Sequence, residues 1–357
     1  MKIKDLCSYA PKSRIKAGEA VENAKYLFFT SSEDENKRYT DFQFDKEAII
    51  MGTGGNATLH YYNGKFSVST DCLVLFPNSK IKCKYLYYFF KSHMSVLEAG
   101  FKGAGLKHTN KKYIEEINVS KIPDLTTQEK IVSHLDTITE NIEKLNRELE
   151  LFDSLTKARF VEMFGDYLKD DRRPLSEVAI ITGGLTKNSN RNTFETKMPY
   201  LRVANVFYNR LDLREILKIG VKEEEIEKTL LQAGDLLFVE GNGSIEQIGR
   251  VAIWDGSIDP ILHQNHLIKA RFNNEIIAPE YALFYFMLQD GRQQIISKSV
   301  STSGLNTLSV NKVSSLLLPI PPIALQNQFA NFVRQVDKSR FDIKKSITEL
   351  EREVVYD

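Results

Sequence analysis

The strongest constraint on this 357-residue chain is that its second half repeats its first. Ile122-Pro123 precedes Gln128, and Ile320-Pro321 precedes Gln326, an offset of 198 residues. At that offset Ile131, Leu135, Ile138, Leu145, Leu149 and Phe152 fall on Phe329, Val333, Val336, Ile343, Ile347 and Leu350, all apolar. Ile142 falls on Arg340, the polar exception in the second series. Upstream, the aromatic run Tyr85-Leu86-Tyr87-Tyr88-Phe89-Phe90 echoes Tyr281-Ala282-Leu283-Phe284-Tyr285-Phe286, and Ile3-Lys4-Asp5-Leu6-Cys7 echoes Leu175-Ser176-Glu177-Val178-Ala179. Self-similarity of this kind marks a duplicated structural unit. Between the anchors the halves differ in length and in polar residues, so one scaffold presents two different surfaces.

The repeated apolar positions step by four and three, the spacing that keeps one narrow stripe on a helix. This predicts a first helix from about Gln128 to Phe164 and a second from about Ala324 to Tyr356. Thr126-Thr127-Gln128-Glu129 reads as a capping box and Gly165 as the stop. At about 1.5 Å per residue the first helix is roughly 55 Å long, too long to be buried in one small domain. The two helices are therefore expected to pair with each other, antiparallel, through Ile131, Leu135, Ile138, Ile142, Leu145, Leu149 and Phe152 on one side. On the other side stand Phe329, Val333, Val336, Arg340, Ile343, Ile347 and Leu350. Intermolecular coiling is the alternative.

The remaining segments mix strand signals, such as Phe66-Ser67-Val68-Ser69 and Asp235-Leu236-Leu237-Phe238-Val239, with the aromatic runs. Those runs contain no interleaved Lys or Arg, so they are read as core-facing helices rather than base-stacking platforms. The fold class expected is α+β: two globular domains, separated and followed by long helices that pair as an antiparallel coiled coil. The domains are 1–125 and 166–322, the helices 126–165 and 323–357.

Composition removes several classes of function. No apolar run approaches the roughly 20 residues of a membrane helix, and a cytoplasmic protein is expected. Cys7, Cys72 and Cys83 are odd in number and lack zinc spacing, so ordinary thiols are expected. His263 and His266 have no companion ligand at recognisable spacing, so no metal is expected. The clusters Gly52-Thr53-Gly54-Gly55-Asn56 and Gly241-Asn242-Gly243-Ser244 match neither a Walker loop nor a dinucleotide fingerprint and read as hairpin turns. No catalytic constellation is present, so the chain is not expected to be an enzyme. Net charge is only +1, yet residues 1–125 hold 19 Lys and Arg against 14 Asp and Glu, while 126–165 hold 5 against 8. Basic side chains are thus allotted by segment, most densely at Lys102, Lys107, His108, Lys111 and Lys112.

Taken together, Ile320-Pro321-Pro322-Ile323-Ala324-Leu325-Gln326, its copy Ile122-Pro123-Asp124-Leu125-Thr126-Thr127-Gln128, Pro174-Leu175-Ser176-Glu177-Val178-Ala179, Pro199-Tyr200-Leu201-Arg202 and Ala233-Gly234-Asp235-Leu236-Leu237 resemble the specificity subunit of type I restriction–modification enzymes. The order and duplication of these weak motifs carry the resemblance, over essentially the whole chain. It implies that 1–125 and 166–322 are two target-recognition domains reading a bipartite, asymmetric site on double-stranded DNA. The helices then act as spacers and as docking surface for two adenine methyltransferase subunits and, where present, two restriction subunits. S-adenosylmethionine belongs to the methyltransferase partner, ATP and Mg to the restriction partner, and this chain itself carries no cofactor. Asp124 stands where the second copy has Pro322, a departure confined to a linker.

Base edges are read by polar side chains that loops carry into a groove. The candidates in the first domain are Thr53, Asn56, Lys102, Lys107, His108, Thr109 and Lys111. In the second they are Thr186, Lys187, Asn188, Arg191, Arg202, Asn242, Ser244, Arg250, Ser303 and Asn306. The residues alone leave open a coiled-coil scaffold that binds only proteins, which a salt-dependent DNA-binding measurement separates from a DNA reader.

Overall fold

The computed structural model describes residues 1–169, 172–302 and 304–356. The chain forms two compact units, one comprising Met1–Arg147 together with the chain from Ile343 on, the other Glu148–Asp342. The divisions fall inside the long helices, whereas a division by element type places them at the helix ends.

The first unit is built on six strands: β1 (Cys7–Tyr9), β2 (Tyr26–Phe29), β3 (Arg38–Tyr39), β4 (Phe44–Gly52), β5 (Leu59–Val68) and β6 (Cys72–Pro77). Their order is β1-β6-β4-β5-β2-β3, antiparallel except where β2 lies parallel to β5. Both faces of the sheet are covered. Ile49 and Met51 of β4 pack with Leu75, Leu86 and Phe90, while Ala48 and Ile50 pack with Phe29, Phe66 and Val74. Side chains alternate across a strand, so the continuous apolar run Ala48–Met51 is what a strand buried on both sides requires. The aromatic run forms the helix Cys83–Ser92, whose Leu86, Tyr88 and Phe90 are buried.

The second unit centres on an antiparallel sheet with the strand order Val251–Ile253, Leu236–Val239, Leu267–Phe272, Ala179–Gly183. Against it lies the second aromatic helix, Pro279–Met287, in which every residue from Tyr281 to Phe286 is buried. A helix apolar on all sides belongs inside a core. Phe160 and Phe164 of the first long helix and Phe329 of the second enter the same core. Phe160 stacks on Tyr281 at 5.5 Å and meets Phe329 edge-on at 5.3 Å. A smaller sheet joins Leu217–Gly220, Lys197–Leu201 and Leu262–His263.

The long helices span Leu125–Phe164 and Ile323–Tyr356. The first is capped two residues earlier than the capping-box reading predicts. The Asp124 carboxylate accepts from the Thr127 amide at 2.9 Å and from its hydroxyl at 2.8 Å, so the linker departure of the first copy is the cap. Helix partners run antiparallel. In the second unit Phe160 meets Phe329 and Asp153 pairs with Arg340, and in the first Ile138 and Ile142 cluster with Leu350 and Val354. The polar exception of the second seam is thus answered by a carboxylate.

The repeat has a structural core of its own at its two glutamines, both fully buried. Gln128 Oε1 accepts from the Lys82 amide at 2.8 Å, and its Nε2 donates to the carbonyls of Lys80 at 3.3 Å and Pro123 at 2.8 Å. Gln326 repeats the pattern with the Ala278 amide at 2.9 Å and the carbonyls of Ile276 at 3.0 Å and Pro321 at 2.8 Å. Lys82 and Ala278 are the N-caps of the two aromatic helices. One side chain in each copy therefore locks the start of a long helix to the start of an aromatic helix.

Candidate nucleic-acid interface

In the first unit two loops are zipped together by backbone hydrogen bonds. The β4–β5 connection meets the segment around residue 108 through Thr109 N to Thr53 O at 3.0 Å and Gly55 N to Lys107 O at 2.9 Å. Lys102 and His108 exchange a further pair at 2.9 and 3.0 Å. The first glycine cluster is indeed a hairpin connection, with Gly55 at φ +85°. This zipper gathers Thr53, Asn56, Lys102, Lys107, His108 and Thr109, of which Asn56, both lysines and His108 are exposed. Thr109 is buried, with its hydroxyl unpartnered. Lys111 opens the short helix Lys111–Glu116, its Nζ 3.6 Å from Glu115 and 4.5 Å from the Tyr9 ring centre. The result is a cationic, polar ridge on a fixed backbone.

The candidates of the second unit fall into separate places. Thr186, Lys187 and Asn188 are exposed in one loop. Arg191, from the same stretch, turns inward: it is 7% exposed, forms a two-pronged ion pair with Glu225 at 2.7 and 3.0 Å, and donates to the carbonyls of Thr186 and Gly220. Its hydrogen-bonding capacity is spent inside, so it holds the loop and does not face a groove. Asn306 is likewise inward, 8% exposed, its amide directed at the carbonyls of Asn242 and Gly243. The second glycine cluster is not a hairpin turn between neighbouring strands. Gly241–Asn242 is itself a strand, paired with Leu305–Thr307 far along the chain. Asn242 then accepts from the Ser244 amide at 2.9 Å, turning the exposed Ser244 outward. Ser303 lies outside the described residues.

Arg202 and Arg250 approach the same backbone stretch: Arg202 precedes Val203, whose carbonyl accepts from Arg250 at 3.3 Å. Arg202 also binds Glu215 at 2.7 Å. Sequence reasoning passed over the side chains that join this surface. Phe207 lies 4.5 Å from the Arg210 guanidinium and 5.3 Å from that of Arg250, and Tyr208 lies 5.3 Å from that of Arg292. The run Phe207-Tyr208-Asn209-Arg210, rings beside a base, was the available signal. Arg292 is distant in sequence and had none. Burial holds the Arg250 and Arg292 guanidiniums below their ordinary pKa.

His263 and His266 do not converge, and no group of ligand side chains able to hold a metal occurs among the described residues. His263 faces the Thr229 carbonyl at 2.8 Å, and burial brings its pKa down to about 4, so the ring is neutral near pH 7. His266 turns to Glu240 at 2.8 Å. No helix among the described residues is long and apolar enough to cross a membrane.

Comparison with known proteins gives a consistent picture. The family model described as the type I restriction modification DNA specificity domain matches residues 1–151 and again 171–352. The EcoKI type I restriction enzyme specificity subunit of Escherichia coli K12 is 25% identical over 95% of this chain and 73% of its own length. A Methanocaldococcus jannaschii protein carrying the name MjaX specificity subunit is 31% identical over 48% of this chain, and the chain spans only 40% of that relative. The crystal structure of a type I restriction–modification S subunit from M. genitalium matches 99% of this chain and 93% of its own, with a TM-score of 0.63 at 17% identity, a likeness of fold.

Proposed function

Because the chain belongs to the family of type I restriction modification DNA specificity domains, we propose that it is the non-catalytic subunit that reads DNA sequence for a type I restriction–modification enzyme. Its two units each read one part of a bipartite, asymmetric target on double-stranded DNA. Its helices set the spacing and dock the adenine methyltransferase subunits, two per chain, with restriction subunits where these exist. The chemistry stays with those partners: S-adenosylmethionine is bound by the methyltransferase, ATP and Mg by the restriction subunit. Such a subunit works in the cytoplasm, where the chromosome lies.

The observation that carries this reading is the twice-built glutamine joint. The same framework recurs while the loops it supports differ, a zipped lysine ridge in one unit and an arginine–aromatic surface in the other. Two readers of unlike sequence on like frames make an asymmetric target. Phosphate contacts supply affinity that falls steeply with salt, and base contacts supply the preference. The test is methylome mapping of DNA modified by this chain with its methyltransferase. The expected result is one methylated motif in two parts, of which exchange of residues 166–322 for those of a relative alters one. Alteration of both parts would refute the division of labour, and absence of any salt-dependent association with DNA would favour a protein-binding scaffold instead.

A further inference from the structure

The segment from Gly241 to Gly249 brings Ser244 to the surface of the second unit, and it is gripped from beneath. Arg292, on the helix Gln289–Lys298, donates to Ile248 O at 2.6 Å, Gly249 O at 3.4 Å and Glu246 O at 3.1 Å. The Tyr208 hydroxyl donates to the same Glu246 carbonyl at 2.6 Å. Gly249 has φ +61°, and a Cβ there would come within 2.3 Å of Ile295, on the same helix as Arg292. The loop closes on itself through Ser244 N to Asn242 Oδ1 at 2.9 Å and Gln247 N to Ser244 O at 3.1 Å. Its backbone is therefore fixed before any ligand arrives, and preorganisation lowers the ordering cost of binding.

The charge beneath it is uncompensated. Arg250 and Arg292 are partly buried, and among the described residues neither has a carboxylate within ion-pair distance. Their partners are carbonyl dipoles, the Gln247 amide and aromatic faces. Arg210, exposed, lies against Phe207, the ring Arg250 also faces. A cation partly removed from water without a counter-ion is costly unless an anion completes the site.

We infer that this loop is a preformed base-reading element positioned by Arg292 and Tyr208, and that Arg250 and Arg210 meet the phosphate backbone of the DNA it reads. The inference rests on the DNA-reading function proposed above. Arg292 and Tyr208 are positioning residues, since they act through the loop. Arg250 and Arg210 contribute affinity without sequence preference.

The test selects the full-length chain against a duplex library with a randomised core and measures the salt slope on random-sequence duplex. The wild type is expected to enrich a two-part motif. Arg292→Met, and Arg292→Lys, whose single ammonium cannot reach three carbonyls, should lower base preference in one part about tenfold or more and leave the other part and the salt slope intact. Tyr208→Phe should do the same more weakly. Arg250→Met should keep the motif and reduce the slope by about one. A near-ultraviolet circular dichroism spectrum and a cooperative unfolding transition like those of the wild type show that the variant is folded. If the Arg292 variants lose both parts, Tyr208→Phe decides. An unchanged motif in Tyr208→Phe and in any folded Arg292 variant overturns the positioning role, and an unchanged slope in Arg250→Met overturns the phosphate role. A wild type that enriches no motif refutes the proposed function itself.

Discussion

Replacing Gln326 with leucine keeps volume and burial and removes all hydrogen bonding from the joint. Three backbone groups lose their partner: the Ala278 amide and the carbonyls of Ile276 and Pro321. The residue is fully buried, so water does not take over freely. A buried group left unpaired costs about 1–3 kcal/mol, and relaxation at the helix start spares part of it, so the loss should be about 3–4 kcal/mol. That is a large share of the roughly 5–15 kcal/mol that holds a domain folded. For a unit of this size it corresponds to a fall in Tm on the order of 6–15 °C. Gln326→Glu should rescue little, because a carboxylate accepts from the Ala278 amide but faces two carbonyls it cannot donate to. Gln128→Leu should weaken the first unit likewise, and with no shared partner the two effects should add. Urea unfolding of the full chain, followed by fluorescence and circular dichroism, measures this. A loss below about 1 kcal/mol for Gln326→Leu, with the slope of unfolding against urea unchanged, would show that the joint is ornamental and that apolar packing alone sets the helix in place.

Two further outcomes rest on geometry. His263 titrates near 4 when folded and near 6.5 when free; both states are neutral above pH 6.5, and as pH falls toward 4 the unfolded chain takes up a proton that the folded chain refuses. Stability should therefore fall across that window by up to about 3 kcal/mol, and denaturant midpoints for His263→Gln should slope less between pH 7 and 4.5. Inserting four residues after Asn146 adds about one turn, roughly 6 Å, with little rotation of the stripe; methylome mapping should show the same two half-sites with a gap longer by one or two base pairs, and an active variant with an unchanged gap would mean that the helices are not the ruler.

The frame was legible in sequence and the reading surface was not, for physical reasons. Apolar periodicity is imposed along the chain itself, so the helices observed at Leu125–Phe164 and Ile323–Tyr356 differ from expectation by only a few residues at their starts. The aromatic runs were legible as core helices because nothing polar interrupts them. A polar side chain in a glycine-rich loop carries no such mark. Arg191 and Lys187 look alike in sequence, and only Glu225, thirty-four residues on, decides that one is an internal strut and the other exposed. Asn306 is settled the same way by Asn242, and Arg292 by carbonyls more than forty residues upstream. The glutamines were visible as landmarks of the repeat, but their task was not. It depends on backbone groups forty-six and forty-eight residues away.

The second unit is inserted within the first, since the chain from Ile343 on returns to pack with residues before Glu148. On the ribosome, order of synthesis and order of completion must then differ. Every residue of Glu148–Asp342 is available while the first unit still lacks the stretch that brings Leu350 and Val354 to Ile138 and Ile142. The half of the protein that is translated first is the one that must wait, its stripe on the first long helix open to chaperones or to another nascent chain until the last helix emerges.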